Sequence, residues 1–271
     1  MGLAILASFL LTIGLYFMKR QAERLPSLGG GWRPSSWLAF ARDPKWVLGV
    51  VLQVGGYGLY LTALRHTPLS VVHTALNGGI AFFVVLAVFG LKEKPQPIEW
   101  LGVLAVAVGL LTLGLSSGPD TQTDAAGAVG ATVFATLTIA AAIAALLIDA
   151  RPGRSAGLSI ASGLTLGLAG LCAKQLAAAD AFGSALLSLP FVLTLLTNMV
   201  GFALMQGALQ SGKGVVVVPI FSTLSNLVPI AAGYLVYGEP LPANPGQATL
   251  RLVSMALALG GAGVLGAAGE R

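Results

Sequence analysis

Charge is what this 271-residue chain has least of: Asp, Glu, Lys and Arg together make up 9% of it, where an average soluble domain carries about 25%. So thin a supply cannot cover a water-facing globule, which excludes an ordinary soluble enzyme. Disorder is excluded for the opposite reason. It needs low hydrophobicity and high net charge, and 56% of this chain is apolar. A single cysteine, Cys172, permits neither an intrachain disulfide nor a cysteine-based metal site. There are only two histidines, His66 and His73, and all ten acids lie outside or at the ends of the apolar runs. No acid–histidine dyad, buried proton relay or dehydrated metal site is therefore legible. The Gly29–Gly31 run lacks the strand-to-helix setting of a phosphate loop, and no Walker motif occurs. The reading is of a non-enzyme that needs no cofactor and binds no resident metal.

What is present is apolar sequence in long pieces. Nine runs contain no Asp, Glu, Lys or Arg: Gly2–Met18, Trp46–Leu64, Thr67–Leu91, Ile98–Ser116, Ala125–Ile148, Ser155–Ala173, Ala181–Gln210, Gly214–Gly238 and Leu252–Ala268. As helices rising 1.5 Å per residue, each approaches or exceeds the roughly 20 residues that cross a bilayer. The first run has no basic residue before it and Lys19–Arg20 after it, so it reads as a retained helix rather than a cleaved signal. The 36 glycines suit membrane helices, where small residues let backbones approach.

The basic residues orient the set. With nine spans, all of the 15 Lys and Arg except Arg65, Lys174 and Arg251 fall on the side of the first interhelical loop. The positive-inside rule then places the N-terminus outside and the C-terminus in the cytoplasm of a multi-pass plasma-membrane protein. Because these charges sit between apolar runs, the net charge of +5 speaks for lipid rather than nucleic acid as partner. The one long loop, Lys19–Lys45, lies on the cytoplasmic side, with Trp32, Trp37 and Trp46 as interfacial anchors.

The chain also repeats itself. Gly55–Pro95 lays on Gly201–Leu241 with a one-residue gap, bringing Gly90-Leu-Lys-Glu-Lys-Pro95 onto Val236-Tyr-Gly-Glu-Pro-Leu241 and Glu93 onto Glu239. Upstream, Gly14–Lys19 matches Ala169–Lys174, pairing Lys19 with Lys174. Helices one to four thus recur as helices six to nine. An odd step between copies inverts one relative to the other, the plan of many secondary transporters. The expected fold is all-α, with about nine transmembrane helices. Inverted four-helix repeats occupy 1–116 and 155–271, joined by an extra helix within 117–154.

Polar groups inside the runs are the candidates for a central substrate cavity, because they are costly in lipid. They are Gln53, Tyr57 and Tyr60 in helix two, His73 and Asn77 in helix three, Asn198 and Gln206 in helix seven, and Ser222 and Asn226 in helix eight. Gln53, Tyr57 and Tyr60 share one helical face, and His73 and Asn77 are one turn apart. Pro219 and Pro229 bracket Ser222–Asn226 and break the backbone ladder there. Each polar group has a second reading as interhelical glue. Lys19 and Lys174 are gate or anion contacts, with snorkelling as the alternative for Lys174. Glu93 and Glu239 read as structural groups at helix junctions on opposite membrane faces.

Pro68–Glu93 followed by the helix from Trp100, and Gly214–Glu239 followed by Leu252–Gly266, resemble the EamA-like members of the drug/metabolite transporter superfamily. Nine helices, the Lys19–Arg20 pair and Ala173–Lys174 are similar to its NIPA magnesium-transporter branch. The resemblance implies a permease that moves a small polar or amphipathic solute by alternating access, driven by a gradient or facilitating diffusion. Magnesium or another divalent cation is the alternative cargo. A flippase for a lipid-linked intermediate is a third reading. Its partners would be a small-molecule or ion substrate and the bilayer, with a homodimer among the assemblies left open.

Overall fold

The computed structural model describes residues 2–26, 34–64, 69–116, 128–148, 155–177, 189–238 and 240–268. Ten helices and no strand occur among them: α1 (Gly2–Ala22), α2 (Pro34–Arg42), α3 (Pro44–Leu64), α4 (Leu69–Gly90), α5 (Pro97–Leu115), α6 (Ala128–Ile148), α7 (Ala156–Ala177), α8 (Leu189–Ser211), α9 (Gly214–Leu235) and α10 (Pro245–Ala268). All but α2 run for 19 to 24 residues and coincide with the nine charge-free runs. Six of them (α1, α5, α6, α8, α9 and α10) contain segments long and apolar enough to cross a membrane. Proline opens α2, α3, α5 and α10, where its missing N–H costs nothing and its fixed φ suits the first turn.

Two boundaries differ from the runs. Arg251 does not interrupt α10, which starts six residues before it at Pro245; its guanidinium lies over the Tyr234 ring of α9, 5.5 Å from the centroid, where a cation is favoured. The stretch read as the long 19–45 loop contains α2, whose Phe40 is fully buried and packs edge-on to Trp46 at 5.4 Å. An apolar anchor under a nine-residue helix gives no long charge-free run, which is why the sequence does not announce it.

The surface is inverted relative to a soluble protein. Val54, Phe89, Leu115, Leu137, Leu147 and Ile148 are all more than 60% exposed, and such a girdle is stable only in lipid. The core beneath it includes Phe83, Leu110, Leu209, Ile220 and Leu265, drawn from both halves of the chain.

Small residues set the helix pairs. A Cβ on Gly14 would lie 2.7 Å from the Gly49 carbonyl oxygen, so α1 and α3 touch backbone to backbone. The two halves pack in the same order. Gly56 of α3 seats Leu11 of α1, and Gly201 of α8 seats Leu166 of α7; Gly79 of α4 faces Ser8 and Thr12, and Gly163 and Gly167 of α7 face Leu224 and Val228 of α9. Gly56, rather than Gly55, is thus the structural counterpart of Gly201. The turns after α4 and α9 match as well: Lys92 has φ of 58° and Gly238 of 63°, at the positions the repeat alignment superposes. Across the repeats, α5 meets α10 with Gly102 against Gly261 and Leu265, and Gly109 against Ser254 and Ala258. That order makes α5 and α10 antiparallel.

Candidate functional site

The polar residues proposed for a central cavity are distributed over several contacts. Gln53 is half-buried and donates from Nε2 to the Leu11 carbonyl at 3.0 Å. Asn77, 5% exposed, donates to the Leu110 carbonyl of α5 at 2.8 Å. Gln206 is fully buried. Its Oε1 accepts from the Trp46 indole N–H at 3.2 Å, and its Nε2 lies 3.3 Å from the Met18 sulfur. Tyr57 is exposed, its ring 5.6 Å from that of Tyr60. Asn198 is exposed and donates within its own helix to the Thr194 carbonyl at 2.8 Å. Asn226 does likewise to the Ser222 carbonyl at 2.8 Å, and the Ser225 hydroxyl donates to the same oxygen at 3.1 Å. Pro219 and Pro229 both lie inside α9, so the carbonyls of Val215 and Ser225 lack the usual donor four residues on. The side chains of His73 and Lys174, and all of Glu239, lie outside the described residues.

Among the described residues, the densest polar chemistry is instead at one end of the bundle, around the short α8–α9 turn Ser211–Gly212–Lys213. Three charged side chains from the first half of the chain grip it. Lys19, 1% exposed at the end of α1, donates from Nζ to the carbonyls of Leu209 at 2.9 Å and Gly212 at 2.7 Å, and to the Glu23 carboxylate one turn on. Glu93 follows α4, and its two oxygens accept the backbone N–H groups of Gly214 at 2.7 Å and Val215 at 2.9 Å. It lies 3.9 Å from the Lys19 ammonium. Glu99, in the first turn of α5 and 2% exposed, takes the Lys213 ammonium with both oxygens at 2.9 Å and also accepts the Gln96 N–H at 2.6 Å.

Local rules explain each position. Lys19 completes the C-terminal turn of α1, where cations are favoured, and reaches the orphan carbonyls at the end of α8. Glu93 is delivered by the left-handed Lys92, which lets the Glu93 N–H close on the Ala87 carbonyl at 3.1 Å. Its carboxylate then meets the unsatisfied N–H groups and positive dipole end of α9. Glu99 stands three residues after Gln96, the spacing of a capping box. Sequence reading places Lys19 and Glu93 at this end of the molecule. It misses Glu23, Glu99 and Lys213, because the partners are separated by up to 193 positions; only the capping-box spacing at Gln96–Glu99 hints at one of them. Lys19, Glu23, Glu93, Gln210, Ser211, Gly212 and Lys213 line an open depression of about 410 Å³. Among the described residues, no group of three His, Cys, Asp or Glu side chains converges as a metal site.

Comparison with known proteins bears on what such a bundle does. The chain is 25% identical over 238 residues to the probable magnesium transporter NIPA9 of Arabidopsis thaliana, a match covering 81% of this chain and 68% of that protein. The likeness is to a membrane transporter. It extends over most of the helical bundle and so concerns the architecture as a whole rather than one local motif. No family model matches the sequence, and no solved structure matches it either.

Proposed function

We propose that this protein is a multi-pass secondary transporter whose cargo is a divalent cation, with magnesium the first to test. The observation that carries the reading is the similarity to a probable magnesium transporter over 81% of the chain. The packing supports the mechanism. Repeats 1–116 and 155–271, linked through 117–154, contact one another through α5 with α10 and through the clasp at the α8–α9 turn. Rocking of one repeat against the other exposes the interface between them to alternate sides. The distribution of basic residues favours a clasp on the cytoplasmic side of the plasma membrane and an N-terminus outside.

Magnesium sheds its water reluctantly and is held through a few oxygens. The described carboxylates Glu23, Asp43, Glu93 and Glu99 all sit at helix ends, so a hydrated ion would pass the interior along amide, hydroxyl and carbonyl oxygens such as those of Ser222–Asn226. The same placement of carboxylates favours a second reading, a small polar solute recognised by amides. Proteoliposomes loaded with a magnesium-sensitive dye decide between them. Uptake faster than in protein-free vesicles is expected; equal rates, together with a polar solute that raises the melting temperature of the purified protein, would transfer the assignment to the second reading.

A further inference from the structure

Arg251 stands at the end of the bundle opposite the clasp. α9 begins at the clasp, and the Arg251 guanidinium lies 5.5 Å from the ring centroid of Tyr234, in the last turn of α9. Half-buried, it belongs to the packed face of α10. Ser254, Ala258, Ala262 and Leu265, which follow it at steps of three and four, are buried, whereas its neighbours Leu252 and Val253 are more than half exposed. A snorkelling arginine leaves from the lipid-facing side of its helix; this one is set into the seam between α9 and α10. Its charge is not compensated there. The Nε is buried without a hydrogen-bond acceptor, and among the described residues no carboxylate or carbonyl oxygen bonds the guanidinium. The Ala232 carbonyl near the end of α9 accepts the N–H groups of Val236 and Tyr237 instead, at 2.9 and 3.1 Å. Ser254, one turn along α10, directs its hydroxyl to Thr112 and the Leu250 carbonyl. The Tyr234 ring offers a quadrupole and no counter-charge. By contrast, Lys19 and Lys213 at the clasp each have a carboxylate partner.

We propose that Arg251 anchors an oxyanion site at this end of the protein, taking a phosphate or carboxylate group in the seam between α9 and α10. A charged side chain on the inward face of a membrane helix is costly and is ordinarily paired, so a guanidinium without a protein acceptor is a vacancy for an anion. Its planar fork of N–H donors matches two oxygens of one such group. Tyr234 contacts the head without supplying an acceptor to it. The group belongs to a free solute anion or to a phospholipid of the leaflet at that end; the recognition is the same. This site is independent of which ion or solute the protein transports.

The test is thermal melting of the full-length protein in a non-ionic detergent. Sodium phosphate and sodium acetate are compared with sodium chloride at matched ionic strength and pH, and phosphatidylglycerol with phosphatidylcholine added to the micelles. Wild type is expected to melt about 3 °C or more higher with at least one oxyanion than with its control. A shift with inorganic phosphate or acetate assigns the site to a free anion, and a shift with phosphatidylglycerol alone assigns it to a lipid headgroup. Arg251→Met abolishes the shift and, having lost an unpaired charge, melts no lower than wild type in chloride. Arg251→Lys keeps the charge but not the fork, and retains only a minor part of the shift. A wild type indifferent to every oxyanion, or a shift that persists in full in Arg251→Met or Arg251→Lys, overturns the proposal. So does an Arg251→Met protein that melts lower than wild type in chloride, the mark of an arginine that serves only the packing of α9 on α10. Magnesium flux in proteoliposomes, present or absent, leaves these outcomes unchanged, so the transport reading and the oxyanion site fail separately.

Discussion

Glu93 accepts the Gly214 backbone N–H at 2.7 Å across 121 positions of sequence, so a carboxylate from the first half of the chain caps a helix of the second half. Hydrogen bonds to a charged acceptor contribute about 1.5–3 kcal/mol, and a helix N-cap about 1 kcal/mol. Glu93→Ala is therefore expected to destabilise the protein by about 2 kcal/mol in chemical or thermal unfolding. Glu93→Gln retains one acceptor oxygen and loses less. Equal stability of wild type and Glu93→Ala would show that the contact contributes nothing.

Helix approach makes a second prediction at Gly14. A methyl group there would meet the Gly49 carbonyl oxygen at 2.7 Å and Gln53 at 3.0 Å, and a backbone atom cannot step aside. Gly14→Ala should cost about 1–3 kcal/mol as overpacking does. Gly58, on the same α3, has nothing within 4 Å of an added Cβ, so Gly58→Ala should leave the melting temperature unchanged or raise it. A Gly14→Ala protein as stable as the Gly58→Ala control would refute the close α1–α3 contact.

The matched turns give a pair of opposite expectations. Lys92 sits at φ of 58°, a conformation that costs a non-glycine residue about 1–2 kcal/mol. Lys92→Gly relieves that cost and should raise stability by about 1 kcal/mol, less the added freedom of the unfolded chain. Gly238, at φ of 63°, runs the other way: Gly238→Ala should destabilise by about the same amount. Melting curves of the two variants with shifts of the same sign would contradict the shared left-handed turn.

Trp46 and Gln206 meet deep beside the clasp, with the indole N–H 3.2 Å from Oε1. Trp46→Phe leaves a fully buried amide oxygen without that donor, at a cost of about 1–3 kcal/mol. A double-mutant cycle with Gln206→Leu should return a coupling of roughly 0.5–1.5 kcal/mol. Strict additivity would remove the contact from the fold's energetics.

Topology is testable without purification. Reporter fusions in the 19–45 segment should be cytoplasmic and those in 117–124 external, as the distribution of Lys and Arg dictates. The reverse pattern would invert the orientation and move the clasp to the outer face.

Much of the fold is legible because lipid imposes a simple rule on sequence: a span must be long, apolar and internally hydrogen-bonded. Nine charge-free runs accordingly became nine long helices, and the two positions the repeat alignment pairs, Lys92 and Gly238, share a left-handed backbone. What was not legible depends on distance through space. The packing register of Gly56 against Leu11 and the buried Phe40 under α2 leave no period in the sequence. The cavity candidates illustrate the same limit: Asn77 and Asn198 look alike in an apolar run, yet one is buried against the Leu110 carbonyl and the other exposed on its own helix.

Scarcity of charge by itself determined that this is a polytopic membrane protein and where its charged residues could stand, because the cost of burying charge in hydrocarbon acts on each residue separately. Only the tertiary structure decided what those charges do. Lys19, Glu93 and Glu99 become one clasp on the α8–α9 turn because helix ends carry unsatisfied carbonyls and N–H groups, and only folding brings charges from one repeat onto the helix ends of the other.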